Sequence, residues 1–187
     1  MSESVNSLHM LVGEVLRRRE TDSRFRANVS RGLNPLTEQY AYPWVLPHVP
    51  SPYEQVVYLR VAGLVASYPN IPHSDKPTLG QSFRVLSEQR SGKRVDDETY
   101  QKHDAIAARL VSLQDQDLDG AVDTLRRLFD LNKKVQVPVN YFALARMLSR
   151  WGSGQSEASL AVRRRTLGDY YGAWSIKSFA PIESVDD

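Results

Sequence analysis

Apolar residues recur at intervals of three and four from Val5 to Trp174, and no segment alternates apolar and polar residues with a period of two. A chain patterned this way buries one stripe per helix and offers no strand to pair, so the spacing predicts an all-α fold. Val5, Leu8, Val12, Val15 and Leu16 place a first helix up to about Glu20. Thr21 or Asp22 caps a shorter helix that carries Phe25 and Val29 and stops at Gly32 and Pro35. The four prolines between Pro43 and Pro52, set around Trp44, predict an extended connector.

Ser51-Pro52-Tyr53-Glu54 combines a capping serine, a proline at the first helical position and a glutamate three after the cap, and so predicts a helix start. The segment that follows, with Val57, Val61, Ala62, Leu64, Val65 and Ala66, is apolar on more than one face and belongs at the centre of the N-terminal half. A loop with Pro69, Pro72 and Pro77 ends it, and Thr78 with Gln81 forms a second capping box before Phe83 and Leu86. The polar stretch Ser91 to Arg94 marks a joint. Beyond it, Tyr100, Ile106, Leu110 and Leu113 share one helix, Leu118 to Phe129 another, and Pro138 opens a third that carries Tyr141, Leu144, Leu148 and Trp151. A last helix presents Leu160, Leu167, Tyr170 and Trp174. The expectation is a bundle of about eight to nine helices in two packed sub-bundles, about 5–90 and about 95–176, with an acidic tail at 181–187.

Charge separates the chain further. Its formal net charge is only +2, yet nine basic residues between Arg126 and Arg165 face only Asp130 and Glu157. Near the N-terminus, Arg17, Arg18, Arg19, Arg24, Arg26 and Arg31 face Glu20 and Asp22, whereas residues 93–123 are acidic. Basic faces of this density point to a polyphosphate partner, and the acidic middle points to a different surface.

Several chemistries are excluded or disfavoured. The absence of cysteine removes disulfides, thiolate metal sites and cysteine nucleophiles, and fits a reducing cytoplasm. No apolar run approaches the ~20 residues that span a bilayer, and Met1 to Asn6 is unlike a signal peptide, so a cytoplasmic protein without a membrane partner is expected. Asp115, Asp117, Asp119 and Gly120 imitate half of a calcium loop, but its twelfth position is Arg126, where two carboxylate oxygens are required. His103-Asp104 lacks the further ligands of a metal phosphohydrolase, and there is no phosphate-cradling glycine loop. No catalytic residue, metal or cofactor is expected.

The basic residues are therefore the candidate site. Arg24, Asn28 and Arg31 share a strip opposite Phe25 and Val29, and Arg146 and Arg150 lie one turn apart without pairing acids nearby. Arg18 and Arg26 belong to the N-terminal cluster, while Arg126, Arg127, Lys133, Lys134, Arg163 and Arg164 complete the C-terminal one. The guanidinium fork suits phosphate oxygens, although Arg163 or Arg164 sits close enough to Leu160 to be buried against a carboxylate such as Asp169. Tyr170 and Trp174 hold core spacing, which leaves Tyr171 as the aromatic most open to stacking.

Taken in order, Arg24-Phe-Arg-Ala-Asn-Val-Ser-Arg-Gly32, Tyr58-Leu-Arg-Val-Ala-Gly-Leu-Val-Ala66 with Tyr68-Pro69, Leu79-Gly80, Leu125-Arg-Arg-Leu128, Val139-Asn-Tyr141 through Leu148 and Trp151, and Val162-Arg-Arg-Arg through Asp169-Tyr-Tyr-Gly172 resemble the CasB family. This is the small subunit of type I-E CRISPR surveillance complexes (Cascade), and the likeness spans roughly residues 8 to 174. The resemblance implies an all-helical, non-catalytic protein that contacts the backbone and large subunits, a second copy of itself, the CRISPR guide RNA and the target DNA. It further implies a basic surface for the displaced strand of the R-loop, carried over to Arg24, Arg26, Arg31 and the arginines of the last three helices. A stand-alone, sequence-independent nucleic-acid binder and a protein-interaction scaffold remain as alternatives.

Overall fold

The structure, a computed structural model, describes residues 3–92, 94 and 104–172, with side chains from residue 6 onward. Among the described residues there are nine α-helices and no strand: α1 (Glu3–Arg18), α2 (Ser23–Ser30), α3 (Tyr42–Val45), α4 (Gln55–Ser67), α5 (Leu79–Ser91), α6 (Ala105–Leu113), α7 (Leu118–Asn132), α8 (Tyr141–Ser149) and α9 (Glu157–Tyr171). Tyr100, the acidic tail and Trp174 lie outside the described residues, and the helix expected to carry Tyr100 with Ile106, Leu110 and Leu113 begins only at Ala105, under an extended Asp104 cap.

Helix α4 is the axis of the molecule. Every residue from Tyr58 to Ala66 is buried, as its all-round apolar pattern requires, and α1, α2, α7 and α8 pack around it. Glycine makes two of these approaches possible. A Cβ on Gly32 would stand 2.7 Å from the Leu59 carbonyl oxygen, and one on Gly63 would stand 2.9 Å from the Leu33 amide.

The two sequence halves interlock rather than stack. Helix α5, which precedes the expected joint, has α9 as its principal partner, while α8 packs on α1 and α4. Gly80 explains the first contact: its Cα faces the α9 backbone so closely that a Cβ would lie 2.6 Å from the Tyr170 amide nitrogen. The turn at Ser91–Gly92 thus divides the chain in sequence without dividing the core in space.

Local signals are read correctly at several ends. Thr78 and Gln81 form both bonds of a capping box, Asp22 accepts from the Phe25 amide at 2.9 Å, and Gly92 closes α5 in the left-handed region at φ +67°. Three expectations need correction. Residues 43–52 are not extended; they wind through α3 and the 3-10 turns Leu46–His48 and Pro52–Glu54, because proline's fixed φ suits a first helical turn. Ser51 caps the 3-10 turn through the Tyr53 amide at 3.4 Å, and α4 itself begins only at Gln55. Helix α8 starts at Tyr141 under an Asn140 cap rather than at Pro138.

Buried arginines tie the layers together. Arg19 donates to the carbonyls of Val65 (3.1 Å) and Ile71 (2.7 Å), fastening the end of α1 to the end of α4. Arg60, alone among the apolar residues of α4, donates to Asp119 (2.6 Å), Glu38 (2.7 Å) and the Gly32 carbonyl (2.6 Å). It joins the start of α7 to the turns that follow α2.

Candidate nucleic-acid interface

The 3-10 turn Arg31–Leu33 continues α2 and carries Arg31 onto the surface, where its guanidinium lies 4.4 Å over the Tyr40 ring. The outer face of α7 brings Arg126 and, at its end, Lys133 to the same place. These three cations line one recess of about 350 Å³ together with Ser30, Tyr68 and Asp130. Tyr68 sets its floor: the hydroxyl shares its one proton between the Arg126 carbonyl (3.0 Å) and Asp130 (3.1 Å), and burial followed by the Asp130 charge pushes its pKa far up. Lys133 stands 5.1 Å over that ring and pairs with Asp130 at 2.7 Å, while Arg126 pairs with Asp123 at 3.0 Å. Both pairs are solvent-exposed and weak, so an incoming phosphate competes with them on favourable terms.

A second basic cluster forms on the far side of α8. Arg146 on that helix and Arg150 just past its end line a groove of about 520 Å³ closed by α9 and the 75–79 loop, where they meet Arg165 and Lys76. Neither Arg146 nor Arg150 makes an ion pair among the described residues. Arg165 stands 3.7 Å from Asp169, and its side chain is 78% exposed. Arg165 stands in the basic run and among the arginines of the last helix that the resemblance implies, though not among those singled out by spacing, and Lys76 stands in neither. A signal was available for Arg165, which follows Val162 by three on a helix; for Lys76, in a proline-rich loop, there was none.

The remaining candidates divide by how far their charge is already engaged. Arg24, Arg127, Lys134 and Arg164 are exposed and line neither recess. Arg26 is half-buried and donates to the Arg19 carbonyl at 2.9 Å. Arg18 is held by Glu14 and Asp22, at 2.8 Å each, and its guanidinium lies 3.9 Å over Phe25. Arg163 must be withdrawn from the site. It is 5% exposed and donates to the carbonyls of Gln114 (3.0 Å), Trp151 (3.2 Å) and Gly152 (2.8 Å), pinning α9 to the loops around Trp151. Its partners are carbonyls, not the carboxylate anticipated; Asp169 faces Arg165 instead.

The aromatic and acidic motifs serve the core. Tyr170 is fully buried and donates to Asp104 at 2.6 Å, and Tyr171 packs edge-on against it, with ring centroids 5.0 Å apart. Asp104 caps α6 through the amides of Ile106 and Ala107 and also accepts from Ser87. Its neighbour His103 lies outside the described residues. Asp117 caps α7 and Asp119 pairs with Arg60, which accounts for the calcium-like spacing. Among the described residues no three metal-binding side chains cluster, and no helix is long and apolar enough to cross a membrane.

A profile of the CRISPR-associated protein Cse2 matches residues 12–171. No curated protein matches in sequence. Among solved structures, a chain of a CRISPR RNA-guided surveillance complex is 26% identical, with coverage of 93% of this chain and 95% of that one and a TM-score of 0.67. A chain of such a complex in a pre-nicking state is 25% identical, with coverage of 92% and 95% and a TM-score of 0.68. A Cse2-family protein from Thermus thermophilus, 21% identical over 89% of this chain and 98% of that one, shares the fold at a TM-score of 0.65. The matched span, the shared fold and the all-α architecture lead to one assignment: this chain belongs to the Cse2 family of CRISPR-associated proteins, the CasB small subunit of type I-E systems.

Proposed function

We propose that this chain is the non-catalytic small subunit of an RNA-guided surveillance complex, and that its basic recesses hold nucleic-acid backbone so as to favour the R-loop. Its partners in this reading are the guide RNA, the target DNA with its displaced strand, the backbone and large subunits, and a second copy of itself. The observation that carries the reading is the convergence of Arg31 with Arg126 and Lys133 in one recess, although they come from different halves of the chain. Exchange of a DNA duplex for an RNA–DNA hybrid is nearly balanced in energy, so a few phosphate contacts on the displaced strand suffice to tip it.

The test replaces Arg31, Arg126 and Lys133 with alanine in the assembled complex and measures target binding against salt. Binding weakens for every target sequence, and the log–log salt slope falls by about 0.7–0.9 per phosphate that is no longer neutralised. An unchanged slope with intact assembly removes the recess from the nucleic acid. A second reading, in which this side of the molecule meets another protein, is favoured by Leu36, which is 84% exposed and lies between Asn34 and Thr37 on the wall of the recess. It predicts that the same triple variant fails to assemble.

A further inference from the structure

The two basic recesses differ in chemistry. The one around Arg31 is shallow and floored by polar groups, whereas the groove between α8, α9 and the 75–79 loop has cations on its rim and an apolar floor. The floor is made by Ala143, Met147 and Val162, all half-buried, with Leu79 beneath. Thr166, which also lines the groove, is buried and turned onto the Met147 sulfur at 3.2 Å, so its hydroxyl is already engaged. Lys76, Arg146, Arg150 and Arg165 stand above it against Asp75 and Asp169.

A phosphate alone would gain nothing from such a floor, and a paired duplex keeps its base faces stacked out of reach. An unpaired nucleotide presents both a flat apolar base and a phosphate, which fits rim and floor together. The groove also has an exit. It shares Asp75, Asn140 and Arg146 with a more open recess of about 540 Å³, where Phe142 carries His9 at a ring distance of 5.2 Å and Met10 is 63% exposed. A strand leaving the groove past Arg146 therefore meets a second apolar surface, which a free mononucleotide would not use.

We infer that this groove takes one unpaired nucleotide of a single strand, with the base against Ala143, Met147 and Val162 and the flanking phosphates on Arg146, Arg150 and Arg165. The inference rests on the proposed nucleic-acid role and adds a base contact to it. The test uses the full chain, a labelled ~12-nucleotide oligothymidylate and an abasic strand of equal length and charge, followed by fluorescence anisotropy at several salt concentrations.

Wild-type protein binds the base-bearing strand more tightly than the abasic one. Met147→Ala with Val162→Ala weakens oligothymidylate binding roughly fivefold, leaves the abasic strand unaffected and keeps the salt slope. Arg146→Ala with Arg150→Ala weakens both strands and lowers the slope. If the floor variant acts equally on both strands, or on neither, the groove holds no base and is left as a face for protein. If the arginine variant leaves the slope unchanged, or wild-type protein binds neither strand, the phosphate reading of this groove fails with it. Thermal unfolding by circular dichroism accompanies each variant, and Val162→Ala alone carries the floor test should the double variant be unstable.

Discussion

Replacing Arg60 with methionine tests whether one buried guanidinium holds the two halves of the molecule in register. Arg60 is 3% exposed, and all three of its acceptors lie on other elements. Methionine keeps most of the aliphatic stem and removes every donor. Glu38 is then left with the Tyr42 hydroxyl at 3.1 Å in a site where its side chain is 16% exposed, and the Gly32 carbonyl loses its charged donor. Asp119, at 57% exposure, is rehydrated and contributes little. Breaking a buried pair in this way costs about 3 kcal/mol, or ~6–12 °C in Tm for a chain of this size. Urea unfolding followed by far-UV circular dichroism measures it. The cost should fall in the order Arg60→Met, then Glu38→Gln, then Asp119→Asn, the last below ~1 kcal/mol. A loss under ~1 kcal/mol for Arg60→Met, or an Asp119 effect larger than the Glu38 one, would refute the clamp. Because Gly32 adjoins Arg31, the same variant should also weaken nucleic-acid binding at the Arg31 recess.

Gly80→Ala forces a methyl group into the α9 backbone and should lower stability by about 1–3 kcal/mol in thermal unfolding, separating α5 from α9. Burial alone would raise the Asp104 pKa, but the Ser87 and Tyr170 hydroxyls and two α6 amides outweigh it and hold the carboxyl below its ordinary value. Its stabilising effect is therefore complete above the unfolded pKa near ~3.9 and fades as pH falls through the lower folded value. Acid titration of stability should show that loss in the wild type and not in Asp104→Asn. Arg163→Ala leaves the Gln114 and Gly152 carbonyls without their donor, while the Trp151 carbonyl keeps the Ser159 hydroxyl, and should cost about 2–4 kcal/mol, whereas Arg164→Ala, one residue on and exposed, should stay within ~0.5 kcal/mol.

The helices were legible because each carries its own spacing and caps: Thr78 with Gln81, Asp22, and the all-round apolar run of α4 are local facts that tertiary contacts did not override. The proline-rich segment is ambiguous in sequence because proline forbids the middle of a helix yet favours its first turn, and Pro43 and Pro52 both occupy first turns. The pairing of α5 with α9 was not legible, since the close approach at Gly80 depends on a backbone far away in sequence. Arg60 left a clear trace, a lone cation in an otherwise apolar helix, which calls for a buried acceptor. Arg163 left half a trace: its spacing from Leu160 marks it or Arg164 for burial, but which of the two turns inward is decided only once the loop around Trp151 is placed.

That last distinction sets what a basic patch means in this fold. Of the arginines singled out by charge density, Arg163 holds carbonyls inside and Arg18 is gripped by two carboxylates, so neither has a free fork for phosphate. Arg126 and Lys133 have acids three residues away, at exposed positions where such pairs are worth less than ~1 kcal/mol. A phosphate that displaces those acids gains a charge-assisted bond and gives up little. Arg146 and Arg150 have no paired acid to displace among the described residues, so their contribution should depend on salt alone. The Arg31 recess should also respond to Asp123→Asn and Asp130→Asn, which release its cations and tighten binding. Charge counting treats the two recesses alike; the acids beside the cations separate them.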